Sequence, residues 1–161
     1  MFLGTHIGKV DGKNRVSVPA LFRNHILATA PDFKGIAAFP SLKPEDPAYI
    51  GCSPDYLITL DERIRDGDFD PDEADAIAGA IFPYVEMLAF DDGGRVVLSK
   101  AMREHIGVEA EAAFIGKGMQ TFEIWNPAVY RTQAAPERAA IRPNALSIMF
   151  NRRPPRSEDK R

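Results

Sequence analysis

The sequence predicts an α+β domain assembled from two copies of one small unit, and three observations carry that prediction. A segment recurs at a fixed offset of 80 residues: Asp11-Gly12-Lys13-Asn14-Arg15-Val16-Ser17-Val18 answers Asp91-Asp92-Gly93-Gly94-Arg95-Val96-Val97-Leu98. The register continues through Phe22-Arg23-Asn24-His25-Ile26 and Met102-Arg103-Glu104-His105-Ile106, and six of the sixteen paired positions from 11 to 26 are identical. Within each copy the apolar spacing changes from alternating to helical, so each copy mixes strand and helix. Hydrophobic residues make up 45% of the 161-residue chain, enough for one real core. Two copies are too few for a solenoid; one closed, pseudo-symmetric domain is the expected product.

Taken in order, residues 2–10 read as a strand leading into the turn chemistry of Asp11-Gly12-Lys13-Asn14. Asn14 and Gly94 hold the same slot before an arginine, as suits a loop residue with positive φ. Val16 and Val18 alternate with a polar neighbour in a half-buried strand. Pro19 is placed to open a helix over about 19–29 at its first position, where a missing N–H costs nothing. Leu21, Phe22 and Ile26 supply that helix's buried face, with Arg23 turned away from it. Residues 36–39 form a short strand candidate. The recurring Pro40, Pro44, Pro47 and Pro54 mark a loop-like insertion, and residues 56–60 fit a strand or the start of a helix equally. The stretch 61–75 is an acidic connector. Asp66-Gly67-Asp68-Phe69-Asp70 superficially matches a calcium loop, but Pro71 stands where that loop needs Gly and Ile77 where it needs Glu. Asp70 instead reads as a helix cap, Pro71 as the first helical position, and Ala74, Ile77, Ala78 and Ile81 as the buried stripe.

The second half repeats the plan. Residues 84–90 are a strand into the second loop, and a helix over 100–106 stops at Gly107. Residues 112–115 and 121–125 are strands joined across Gly116-Lys117-Gly118, and Asn126-Pro127 opens a further helix. Beyond Pro136 the pattern breaks, and residues 152–161 read as a disordered basic tail.

The opening Met1-Phe2-Leu3-Gly4, the two Asp-x-x-x-Arg loops and the late Phe122-Glu123-Ile124-Trp125 together resemble the MraZ family of bacterial transcriptional regulators over roughly residues 1–132. The resemblance implies two AbrB-like ββαβ units, interleaved into one pseudo-twofold swapped-hairpin β-barrel with peripheral helices. Both loops would then lie on one face. The chain accordingly divides into a first repeat with a proline-rich insertion (1–60), an acidic linker and helix (61–82), a second repeat with a C-terminal helix (83–132), and the tail (133–161). The chain departs from the family pattern at Asn14, where Gly is usual, at Gly93, opposite the basic Lys13, and at Ser99, where Pro is common.

Charge distribution fits a polyanion partner better than net charge does. The net charge is −3, but residues 1–30 carry four bases against one acid and residues 93–161 twelve bases against seven acids. Residues 31–92 hold fifteen acids and four bases, so the acidity is concentrated in the connector. Local field, rather than net charge, steers DNA. Arg15 and Arg95 are the leading candidates for DNA contact, because an arginine fork fits phosphate oxygens or the O6/N7 edge of guanine. Lys13 and Lys9 would add phosphate charge, while Asp11, Asn14, Asp91 and Gly94 would shape the loops. Each Asp-x-x-x-Arg reads equally well as an internal salt bridge pinning its hairpin; the resemblance favours the DNA reading. What it implies is a cytoplasmic, nucleoid-associated, sequence-specific regulator. Such a regulator assembles into a homo-oligomeric ring and binds direct repeats in double-stranded DNA upstream of the division and cell-wall gene cluster. The competing reading is a ring-forming or antitoxin-like protein-binding module on the same scaffold.

Other chemistry finds little support. His25 and His105 have no second ligand at helical spacing, so they read as packing residues rather than a metal site. Phe122 and Trp125 read as core rather than a stacking platform. Cys52 is the single cysteine, which excludes a disulfide framework. There is no phosphate-binding Gly-x-x-x-x-Gly-Lys, no Gly-x-Ser-x-Gly and no His-Glu-x-x-His. Neither an enzyme, a cofactor, a small-molecule substrate nor a membrane span is expected.

Overall fold

The computed structural model of the chain describes residues 1–151. The chain is α+β, as the change of period predicts. Its first half runs through β1 (Thr5–Lys9), β2 (Arg15–Ser17), α1 (Ala20–Thr29), β3 (Gly35–Pro40), β4 (Tyr49–Cys52), α2 (Pro54–Asp66) and α3 (Pro71–Ile81). The second runs through β5 (Glu86–Ala89), β6 (Arg95–Val97), α4 (Lys100–Ile106), β7 (Glu111–Gly116) and β8 (Thr121–Trp125). A helical series follows: α5 (Pro127–Val129), a π turn (Tyr130–Ala134), α6 (Ala135–Ile141), a 3-10 turn (Arg142–Asn144) and α7 (Ala145–Asn151). Two compact units result, Met1–Pro127 and the residues from Ala128 onward.

The first unit is built on two ladders. One is a six-stranded antiparallel sheet in the order β1-β7-β8-β4-β3-β5, and the other pairs β2 with β6. Exchanging the two halves of the chain leaves both orders unchanged. β1 of the first half pairs with β7 of the second, Ile7 opposite Ala113; β5 of the second pairs with β3 of the first, Met87 opposite Ala37. In the small ladder Val16 lies opposite Val96, its own counterpart 80 residues away. Each half therefore lends a strand to the other. The ladders do not close on one another: β1 and β5 are the edges of the large sheet, and β2/β6 stands as a separate pair.

Burial explains why the repeated sequence specifies this arrangement. Val16, Val18, Phe22 and Ile26 meet Val96, Leu98, Met102 and Ile106 in one core with Phe2, Phe114 and Phe122. Phe2, Phe22 and Phe122 pack edge-on and tilted with centroids 4.9–5.1 Å apart. Such aromatic contacts add to the free energy of burial itself. Trp125 is fully buried and its indole N–H donates to Glu123 Oε1 at 3.2 Å, so Phe122 and Trp125 belong to the interior. The acidic connector folds against a second core. Ile64 and Ile81 pack on Ala37, Phe39 and Cys52, with Leu57, Leu60 and Ile77 around them, while the carboxylates stay on the surface. Burial also pushes the Cys52 thiol up to about 12, leaving it a small hydrophobe rather than a nucleophile.

Several local expectations change. Of the two readings open for residues 56–60, the helical one holds, with Ser53 at the cap position, where its side chain makes no cap bond, and Pro54 opening the first turn. The proline-rich stretch contains a strand, β4, which inserts between β3 and β8. Pro19 occupies the cap position rather than the first helical one, and Leu21 is exposed. In the stripe of α3 only Ile81 is fully buried. Residues 133–151, assigned from the sequence to the tail, are helical, with Leu146, Met149 and Phe150 exposed. The basic tail at 152–161 lies outside the described residues.

The helix caps of the two repeats differ in a testable way. Ser99 Oγ accepts the backbone N–H of Met102 at 3.1 Å, whereas Pro19 makes no side-chain cap bond. Ser99→Ala is expected to cost about 1 kcal/mol of stability, read as a lowered urea midpoint with unchanged slope. An unchanged midpoint would show that the cap contributes nothing.

Candidate functional site

Both loops are folded by the same carboxylate. Asp11 Oδ1 accepts the backbone N–H groups of Lys13 and Arg15, each at 2.9 Å, and Oδ2 accepts Arg15 Nε at 2.8 Å. Asp91 repeats the pattern, with Oδ1 accepting Gly93 and Arg95 N–H at 2.9 Å and Oδ2 accepting Arg95 Nε at 2.9 Å. Main-chain bonds close each turn: Asp11 and Asp91 donate to the carbonyls of Arg15 and Arg95, and Asn14 and Gly94 donate back to Asp11 and Asp91. The sharp reversal needs a left-handed residue, supplied by Asn14 (φ +60°) and Gly94 (φ +75°). An aspartate bonding backbone N–H groups two and four residues on is ordinary turn chemistry; the arginine Nε bond adds charge to it.

The two readings of Asp-x-x-x-Arg are thus compatible. Nε of each arginine is spent on the loop, and the side chain stays partly open, 29% exposed at Arg15 and 38% at Arg95. The terminal nitrogens of Arg15 make no hydrogen bond to the described residues. Arg95 Nη1 lies 3.9 Å from Asp11 Oδ2, a long contact that brings the two loops together. Lys13 projects from the tip of the first loop, and Lys9 is exposed at the end of β1, opposite Glu111. The arrangement can present two oriented guanidinium edges and two lysines to an anion. The loops are unequal in charge: residues 11–15 hold two bases and one acid, residues 91–95 one base and two acids.

Backbone N–H donation from Arg15, reinforced by its Nε and by the Lys13 N–H, holds the Asp11 carboxyl below its usual 3.8 against a smaller desolvation effect. Asp91 is lowered in the same way, led by the Arg95 backbone N–H. A carboxyl lowered on folding stabilises the folded loop fully above the ordinary value, and that contribution disappears as pH falls through the folded one. Stability should therefore be flat across neutral pH and fall on acidification below about pH 4. Asp11→Asn with Asp91→Asn should flatten that acid limb. Urea midpoints from pH 7 to pH 2.5 measure it, and equal acid limbs in both proteins would exclude the two loops as its source.

The histidines are packing residues: His25 Nε2 bonds the Met119 carbonyl at 2.9 Å and meets Phe2 edge-on, while His105 stands edge-on to Tyr49. No metal-ligand cluster and no helix long and apolar enough to cross a membrane occurs among the described residues. Sequence reasoning missed Arg23, which is half-buried and donates through Nη1 to the Gly94 carbonyl at 3.4 Å. Helical periodicity turned it outward; its partner lies 71 residues away in the other half.

Comparison with known proteins finds relatives that span most of the chain. The chain is 36% identical over 127 residues to a protein of Rickettsia akari named transcriptional regulator MraZ, covering 79% of this chain and 82% of that one. The protein of that name from Rickettsia felis is 37% identical over the same length and coverage. That of Pelagibacter ubique is 32% identical over 152 residues, spanning 94% of this chain and 95% of its own. No protein-family model matches the chain.

Proposed function

The chain belongs to the MraZ family of transcriptional regulators, and on that premise we propose that it binds double-stranded DNA sequence-specifically through its two Asp-x-x-x-Arg loops. One observation carries this reading above the rest. In both loops the loop's own aspartate takes the arginine Nε and no terminal nitrogen, so the guanidinium is oriented before any ligand arrives, with the outer edge of Arg15 open and Arg95 Nη1 within 3.9 Å of Asp11. Pre-ordering a long side chain removes much of the entropy cost of contact. Arg15 and Arg95 would read base edges or clamp phosphates, and Lys9 and Lys13 would supply phosphate charge. The exchanged strands and the self-paired Val16 and Val96 support an interleaved, pseudo-twofold barrel that carries both loops on one face. The division proposed from the sequence follows the same plan: two repeats, 1–60 and 83–132, joined by the acidic helical segment 61–82.

In a cytoplasmic, nucleoid-associated role, copies of the chain would assemble into a ring and occupy direct repeats ahead of the division and cell-wall gene cluster. Sequencing the genomic fragments that the purified protein retains tests this. Fragments sharing a short repeated element ahead of those genes are expected. A retained pool no different from input DNA would leave only the protein-binding alternative.

A further inference from the structure

We propose that Arg23 is a positioning residue for the second DNA-binding loop, reaching it from the opposite half of the chain, and that residue 94 lacks a side chain to admit it. The consequence for DNA rests on the function proposed above; the geometry stands without it. The Gly94 carbonyl accepts two donors from the first half, Val18 N–H at 3.2 Å and Arg23 Nη1 at 3.4 Å. A Cβ at position 94 would fall onto Nη1 and lie 2.5 Å from Cζ and 2.7 Å from Cδ of Arg23. Positive φ alone does not explain a glycine there. Asn14 holds the same conformation with a side chain, and asparagine tolerates it at little cost. Leu27, Lys34, Phe90 and Asp92 bound the cleft beside the second loop that gives the guanidinium room.

The first loop has no such clamp among the described residues. The Asn14 carbonyl accepts Leu98 N–H at 2.9 Å, and Arg103, the counterpart of Arg23, donates instead through Nε to the Leu98 carbonyl at 3.2 Å. The two loops therefore share their internal bonding but differ in what secures them. Loop 91–95, short of one base and carrying one extra acid relative to loop 11–15, is the one that receives an arginine from across the pseudo-axis. That arginine both restrains the turn and offsets its charge.

Amide hydrogen exchange and DNA titration on the full chain test the proposal. Arg23→Ala should speed exchange at Gly93, Gly94 and Arg95 while leaving Lys13 and Asn14 unchanged, with the global melt preserved. Affinity for the retained DNA should fall on the order of three- to tenfold, with the salt slope unaltered, because no phosphate contact is lost. Gly94→Asn should reproduce both effects by expelling the guanidinium, and the double variant should be no worse than either single one. Arg103→Ala should leave the exchange of the first loop unchanged. Unaltered exchange at residues 93–95 in both Arg23→Ala and Gly94→Asn would overturn the proposal. So would additive losses in the double variant, or a salt slope reduced by about 0.9, which would make Arg23 a phosphate contact. If the wild-type chain retains no DNA, the functional reading fails, while the exchange measurements still decide the role of Arg23.

Discussion

Replacing Arg15 and Arg95 together with alanine is expected to abolish sequence-specific DNA binding while leaving the chain folded. Each guanidinium is held by Nε, the outer edge of Arg15 is open, and the 3.9 Å contact between Arg95 Nη1 and Asp11 sets the two loops side by side. A base-contacting arginine contributes roughly 1–3 kcal/mol, so losing both should weaken specific binding by about 2–6 kcal/mol. The fold has other supports. Val16, Val96, Phe22 and Met102 are fully buried, and the main-chain bonds that close each turn do not involve the guanidinium. Circular dichroism melts alongside binding titrations separate the two roles. A double variant that binds as the wild type does, or that unfolds, would show that the arginines act only as internal braces.

The turns were legible because their chemistry is local. An aspartate, a left-handed residue and an arginine within five positions leave few ways to fold, and the 80-residue offset gave the same reading twice. The helix over 71–81 was equally local, since Asp70 accepts the Glu73 N–H and Pro71 opens the first turn. Ser53-Pro54 carries a related signal and starts α2, but the prolines around it made the whole stretch read as a loop. β4 could not be seen because its short run, Tyr49 to Cys52, becomes a strand only by fitting between β3 and β8, where the Phe122 ring packs over Gly51. Arg23 was misplaced for the same reason. Helical spacing assigns it to the solvent face, and only the exchange of strands between halves brings the second loop over it.

So acidic a chain is expected to reach useful affinity for DNA only by combining copies. One chain presents two loops and four basic side chains (Lys9, Lys13, Arg15 and Arg95), and the second loop carries two acids of its own. Counterion release from so few contacts leaves affinity weak at cellular salt, because each phosphate neutralised contributes a slope of only about 0.9 in log K against log salt. Linking sites makes later contacts intramolecular and raises overall affinity by roughly 10²–10⁴. A head-to-tail ring of the kind proposed presents successive chains in one orientation, so its natural target is a set of direct repeats rather than a palindrome. Binding to several tandem sites at regular spacing should therefore be tight. A single site, or repeats displaced by half a helical turn so that successive sites face opposite sides of the duplex, should bind on the order of a hundredfold or more weaker. An affinity series over site number and spacing, paired with the mass of the free protein by light scattering, measures both halves of the expectation. A protein that is monomeric in solution and binds one isolated site as tightly as an array would rule out avidity as the source of its affinity.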